Sequence, residues 1–115
     1  MKRGRSTGNP TKAQQARFDA IKEAGCIVCR HRGIGFVPCE IHHLTVGGLH
    51  GQKRRGHDFT VGLCAWHHRG VSPEGFGGVG AEAWMYGTSY AVEPRKFRAE
   101  YPDELLMEMQ KEAIA

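Results

Sequence analysis

All four cysteines and all seven histidines of this chain lie between residues 26 and 68, and the rest of it contains none. Thiolate and imidazole are the usual ligands of zinc and its neighbours, so this crowding implies metal binding within that segment. A chain of 115 residues is one domain's worth of polypeptide. A domain this short buries only about 60–70% of the surface its unfolded form exposes. A metal cross-link would therefore help to stabilise it. Hydrophobic residues at 40% and charged residues at 24% fit a soluble globular protein and exclude a disordered tail. No apolar run approaches the roughly 20 residues a bilayer span requires. The basic start, Met1-Lys2-Arg3-Gly4-Arg5, lacks the apolar stretch of a secretory signal. A cytoplasmic location is the default expectation, in which cysteines serve as ligands or free thiols more often than as disulfides.

The spacing divides the ligands. Cys26-x2-Cys29 and Cys64-x2-His67 are two pairs with knuckle spacing. A two-residue gap lets both side chains of a pair reach one ion, and the two pairs together make a closed tetrahedral zinc site. Such a site would staple the first knuckle to a later helix. Cys39-x2-His42 has ligand spacing as well and competes for a place in this set; otherwise Cys39 is a small buried hydrophobe. His42-His43 lies on the strand-like run Glu40–Val46, where successive side chains point to opposite sides. One ring of the pair could bind a metal while the other faces a water. His68 follows His67 on a short helix, where neighbours diverge by about 100°, so it should point away from the zinc, and it could meet His42 across the strand pair. The result is an open second metal site, a catalytic feature rather than a structural one.

Local signals place these residues. Thr11-Lys12-Ala13-Gln14 has capping-box spacing and opens a helix over 11–24 that Gly25 stops. Residues 26–38 read as a turn-rich knuckle. Residues 40–46 and 59–63 read as strands joined by a Gly- and Lys/Arg-containing loop, and 65–69 as a short helix stopped by Gly70. A Gly-rich loop at 75–80 lacks the lysine and pattern of a phosphate-binding loop. Short helices are expected at 81–86 and 94–100. A last helix begins at Pro102-Asp103-Glu104, with Leu105, Leu106, Met109 and Ala113 as its buried stripe. Residues 1–10 form a flexible basic arm. Residues 11–115 form one domain, with a metal core at 26–70 and a helical C-terminal part at 81–115.

The net charge of +4 is small, but its layout is uneven. Lys2, Arg3, Arg5, Lys12 and Arg17 face no acid among the first 17 residues. Lys53-Arg54-Arg55 is a second basic cluster, and the tail after Ala99 is acidic. Basic segments at one end and in one loop suit a polyanion such as nucleic acid, although the loop cluster could equally be only a solvated turn. His31 and His50 read as surface residues, and Trp66 and Trp84 as core aromatics.

Taken in order, the Cys26/Cys29 knuckle, Glu40-Ile41-His42-His43 and Leu63-Cys64-Ala65-Trp66-His67-His68 resemble the HNH endonuclease superfamily. Its core is a ββα-metal unit. The stretches Ile41–Gly48 and His57–Gly70 more closely resemble the recombination-enhancement (Ref) nucleases of phages and prophages, which act with a RecA-type recombinase. Ser89–Phe97 adds to this likeness, which covers roughly residues 26–101. The resemblance implies an α+β fold: a small zinc-stabilised ββα-metal nuclease domain with flanking helices. It implies a metal-dependent DNA endonuclease in which His42 and His68 bind a catalytic Mg²⁺ or Mn²⁺. His43 would be the general base, and Cys26, Cys29, Cys64 and His67 would hold structural Zn²⁺.

HNH enzymes usually carry an asparagine between the strand dyad and the helix histidine, and here the only asparagine is Asn9. Asp58 is nearest the expected place, with His57 beside it. Asp58 could orient His43 or complete the metal shell. Free imidazole, with a pKa of about 6.5, can take a proton from water at neutral pH. Lys53, Arg54, Arg55 and Arg69, with the N-terminal arm, are candidates for DNA phosphate contacts. The competing reading is a non-catalytic zinc-containing nucleic-acid-binding module, supported by the missing asparagine. A third is an adaptor whose metals only build the fold.

Overall fold

A computed structural model of the chain describes residues 8–45, 56–71 and 87–115. The Lys53-Arg54-Arg55 cluster, residues 1–7 of the basic arm, His50, the glycines at 75–80, and the helix expected over 81–86 with Trp84 all lie outside the described residues.

Helix α1 (Lys12–Ala24) opens on the expected capping box. The Thr11 hydroxyl accepts from the Gln14 backbone at 3.1 Å, and the Gln14 side chain accepts from the Thr11 backbone at 2.9 Å. Gly25 ends the helix with φ 82°. A Cβ there would lie 2.7 Å from the Val37 carbonyl, so only glycine lets the next segment pass so closely.

The knuckle is more regular than its turn-rich sequence suggests. Helix α2 (Ile27–His31) begins directly after Cys26, whose sulfur accepts from the Cys29 backbone N–H at 3.4 Å. A thiolate that can cap N–H groups turns the Cys-x2-Cys spacing into a helix start.

Strands β1 (Glu40–His43) and β2 (Thr60–Leu63) form a two-stranded antiparallel sheet, with Glu40 opposite Leu63 and His42 opposite Val61. Alternation puts Glu40 and His42 on one face and Ile41 and His43 on the other. Helix α1 lies on the second face. Its Ile21 rests on Gly62, where an added Cβ would come within 2.8 Å of the Ile21 methyl and 2.7 Å of the Cys39 sulfur. Helix α3 (Ala65–Arg69) follows β2 at once and ends at Gly70, as expected.

Helices α4 (Pro94–Glu100) and α5 (Asp103–Ala113) complete the described residues. They close a small core of Ile27, Val28, Leu63, Trp66, Phe97 and Leu106. Trp66 is a core aromatic, as expected, its indole N–H donating to the Gly87 carbonyl at 3.1 Å. One expectation for α5 is corrected. Leu106 and Gln110 are buried, with Met109 and Ala113 packed beside them, whereas Leu105 is 38% exposed. The cause is polar. Gln110 accepts from the Gly62 backbone N–H at 2.7 Å, and meeting that donor rotates the helix away from its most apolar orientation. No helix among the described residues is long and apolar enough to cross a membrane.

Candidate metal centre and histidine pairs

Helix α2 and the β2–α3 junction bring Cys26, Cys29, Cys64 and His67 into one buried cluster, their ligand atoms all within 4.8 Å of one another. Cys29 and Cys64 sulfurs are 3.8 Å apart. His67 Nδ1 lies 3.4 Å from Cys26, 3.7 Å from Cys29 and 3.2 Å from Cys64. A tetrahedron of zinc–sulfur bonds near 2.3 Å would place its sulfurs about 3.8 Å apart. The donor set and its spacing therefore fit zinc, and the cluster could hold that ion. Cys39 stands outside it, donating its S–H to the Ile21 carbonyl at 3.4 Å. Partial burial raises the Cys39 thiol to about 11, which suits a half-buried small side chain packed against the core.

Charge is shared unevenly inside the cluster. Hydrogen bonds from Cys26 and Cys29 pull the Cys64 thiol down, while those with Cys26 and Cys64, reinforced by burial, push Cys29 up. Burial disfavours a charged His67, but its hydrogen bonds to Cys26 and Cys64 outweigh that and hold it up at about 9. The pocket thus favours a thiolate beside a cation, the electrostatic setting a divalent metal would satisfy.

The other histidines form two pairs on opposite faces of the sheet. His42 is buried, with its ring centre 4.9 Å from His68 and 4.7 Å from Tyr90. The meeting of strand and helix histidines matches the sequence expectation. His68 Nδ1 donates to the Glu40 carboxylate at 2.8 Å, which leaves Nε2 with its lone pair for a ligand. Arg69 forks onto the same carboxylate at 2.9 Å, 3.0 Å and 2.5 Å. The Arg69 guanidinium, with help from His68, holds Glu40 below the usual carboxylate range despite partial burial. Arg69, expected to contact phosphate, is thus engaged with Glu40. The sequence reading did not single out Glu40. Its signal was there in strand alternation, since a residue two before His42 shares its face.

On the α1 face His43 packs edge-on to Phe18, and its Nε2 lies 3.0 Å from His57 Nδ1. The place considered for Asp58 is therefore taken by its neighbour. Asp58 instead accepts from the Gln14 side chain at 3.2 Å, because α1 draws that carboxylate to its own N-terminal turn. His31 is exposed, as expected.

No curated protein matches the chain. The sequence model of the family described as recombination enhancement, RecA-dependent nuclease, matches residues 10–115. With nearly its whole length matched, the chain belongs to the recombination-enhancement, RecA-dependent nuclease family.

Proposed function

We propose that the chain is a metal-dependent DNA endonuclease of HNH type, phage or prophage encoded, which hydrolyses phosphodiester bonds during recombination alongside a RecA-type filament. The observation that carries this reading is the histidine arrangement. The His42 and His68 rings meet beside a carboxylate, while the adjacent His43 lies on the other face of the same strand. The consecutive order β1, β2, α3 supports reading these elements as a ββα-metal unit. The Cys26/Cys29/Cys64/His67 cluster is the structural zinc site of this reading.

His42 and His68 are the residues that would hold the catalytic divalent ion. Two imidazoles favour Mn²⁺ or another transition ion over Mg²⁺, which prefers oxygen ligands. When bound, such an ion supplies charge neutralisation at the scissile phosphate and its leaving oxygen. The protein's own groups do the rest. The Glu40 carboxylate holds His68 through Nδ1, and Tyr90 walls His42 on its buried side. His43 takes a proton from the attacking water as the new phosphorus–oxygen bond forms. The bond to the 3′ oxygen breaks, and that oxygen takes up a proton from solvent. Lys53, Arg54 and Arg55 remain candidates for flanking phosphate contacts, which set affinity and salt dependence.

The test is plasmid nicking with Mg²⁺ or Mn²⁺ and a RecA-type filament, comparing the protein with its His43→Ala variant. Metal-dependent nicking that falls by about 10²–10⁴-fold in the variant supports a general base at His43. DNA binding without cutting under every metal would replace this reading with the nucleic-acid-binding module.

A further inference from the structure

We infer that residues 30–36, at the end of α2 and just after it, form a nucleic-acid contact in which Phe36 stacks on an unpaired base while Arg30 and Arg32 hold the phosphates beside it. The inference rests on the reading of the chain as a DNA nuclease and names where the strand is gripped. Every residue from Arg30 to Phe36 is exposed. Phe36, at 67%, is the most exposed large apolar side chain among the described residues, and Ile34 stands two positions before it at 36%. Single exposed apolar residues are ordinary on a protein surface. Here two of them share one short segment with two arginines and His31. No acid occurs between Glu23 and Glu40. Among the described residues neither Arg30 nor Arg32 forms an ion pair. An uncompensated pair of guanidinium groups calls for a polyanion, and the ring beside them suits a base, since every base has a π-face.

The segment is tied in place at both ends. The Ile34 N–H donates to the Cys29 carbonyl at 2.9 Å, and the Cys26 N–H donates to the Val37 carbonyl at 2.8 Å. Both anchors are backbone groups of cysteines in the buried cluster. Between them Gly33 and Gly35 take φ of 80° and 113°, which lets the chain turn twice within a few residues. The Phe36 ring lies over Gly25, where an added Cβ would come within 2.9 Å of two ring carbons. The ring is thus supported by backbone and still open to solvent, so little freedom is lost when a base stacks on it. The chain then runs directly into β1. Phe36 precedes His42 by six residues, which is at most about 22 Å of extended chain. A strand gripped at Phe36 therefore reaches the histidine site within a few nucleotides.

The probe is a fluorescein-labelled single-stranded oligonucleotide, bound without added Mn²⁺ or Mg²⁺ and without recombinase, and followed by anisotropy across salt concentrations. Phe36→Ala and Phe36→Leu should each weaken binding by about 5–100-fold, the worth of one stacked base, and leave the salt dependence unchanged. Leucine keeps apolar bulk over Gly25 and lacks a π-face, so its loss reads stacking rather than packing. Phe36→Trp should bind as the unsubstituted protein does, and the oligonucleotide should quench the emission that the new indole adds. The double variant Arg30→Gln/Arg32→Gln should flatten the slope of log affinity against log salt by about 1.4, two single-strand phosphates' worth. Full affinity in Phe36→Ala and Phe36→Leu overturns the inference, as does added emission in Phe36→Trp that the oligonucleotide leaves untouched. A Phe36→Ala protein that binds the bare strand normally but nicks poorly beside a RecA-type filament also overturns it, because the segment then serves a protein partner. Binding through Phe36 with no nicking under any metal brings down the endonuclease reading alone. Normal nicking with Phe36 variants of full affinity brings down only the stacking contact.

Discussion

At the residue scale, position in the fold assigns different work to histidines that look alike in sequence. His67 is buried among sulfurs, His68 leans on a carboxylate, and His43 leans on another imidazole. Glu40 is the residue whose importance is easiest to test. Replacing it in Glu40→Gln removes the charge that Arg69 and His68 both address. If His68 binds the ion, affinity for Mn²⁺ should fall by about 10–100-fold, measurable by titrating nicking against metal concentration. The same substitution has a signature in stability. Glu40 is more acidic in the folded chain than the 4.5 of a free glutamate. The unfolded state therefore takes up its proton first as pH falls, and the stabilisation is present above 4.5 and lost as pH drops through the lower folded value. The gap in melting temperature between the protein and Glu40→Gln should close on acidification. A gap constant with pH would mean that the carboxylate contributes by shape alone.

At the element scale, apolar pattern identified helices more reliably than it oriented them. Capping chemistry located α1, and the glycine after Arg69 located the end of α3. The rotation of α5 was not readable in the same way, because hydrophobic periodicity does not report a strand N–H awaiting an acceptor. Gln110 answers that donor and Leu105 is turned outward as a result. Leu106→Ala should cost about 2–5 kcal/mol by chemical denaturation, as expected for a buried leucine. Leu105→Ala should cost far less. Equal losses at the two positions would mean that α5 sits as its apolar stripe alone would have it.

At the scale of the whole molecule, the sulfur–imidazole cluster joins parts that a small core would hold only weakly. Cys29 and Cys64 are 35 residues apart in the chain. One zinc per chain is expected by elemental analysis, and a strong chelator should abolish the cooperative thermal transition. Ligands must lose protons to bind, so zinc should be released on acidification and retained at higher pH. A chain that melts at the same temperature with and without metal would show that the core alone sustains the fold. Sequence by itself determined the four residues of a cluster that could hold a metal, because ligand type and spacing are local properties of the chain. It also determined α1, the strand pair and α3, where caps, alternation and a helix stop are written into consecutive residues. Only the tertiary structure decided that Cys39 stays out of the cluster, that His57 rather than Asp58 meets His43, and that Glu40 steadies His68. Each of these depends on which side chains separate elements bring within hydrogen-bond reach, and that distance is set by packing.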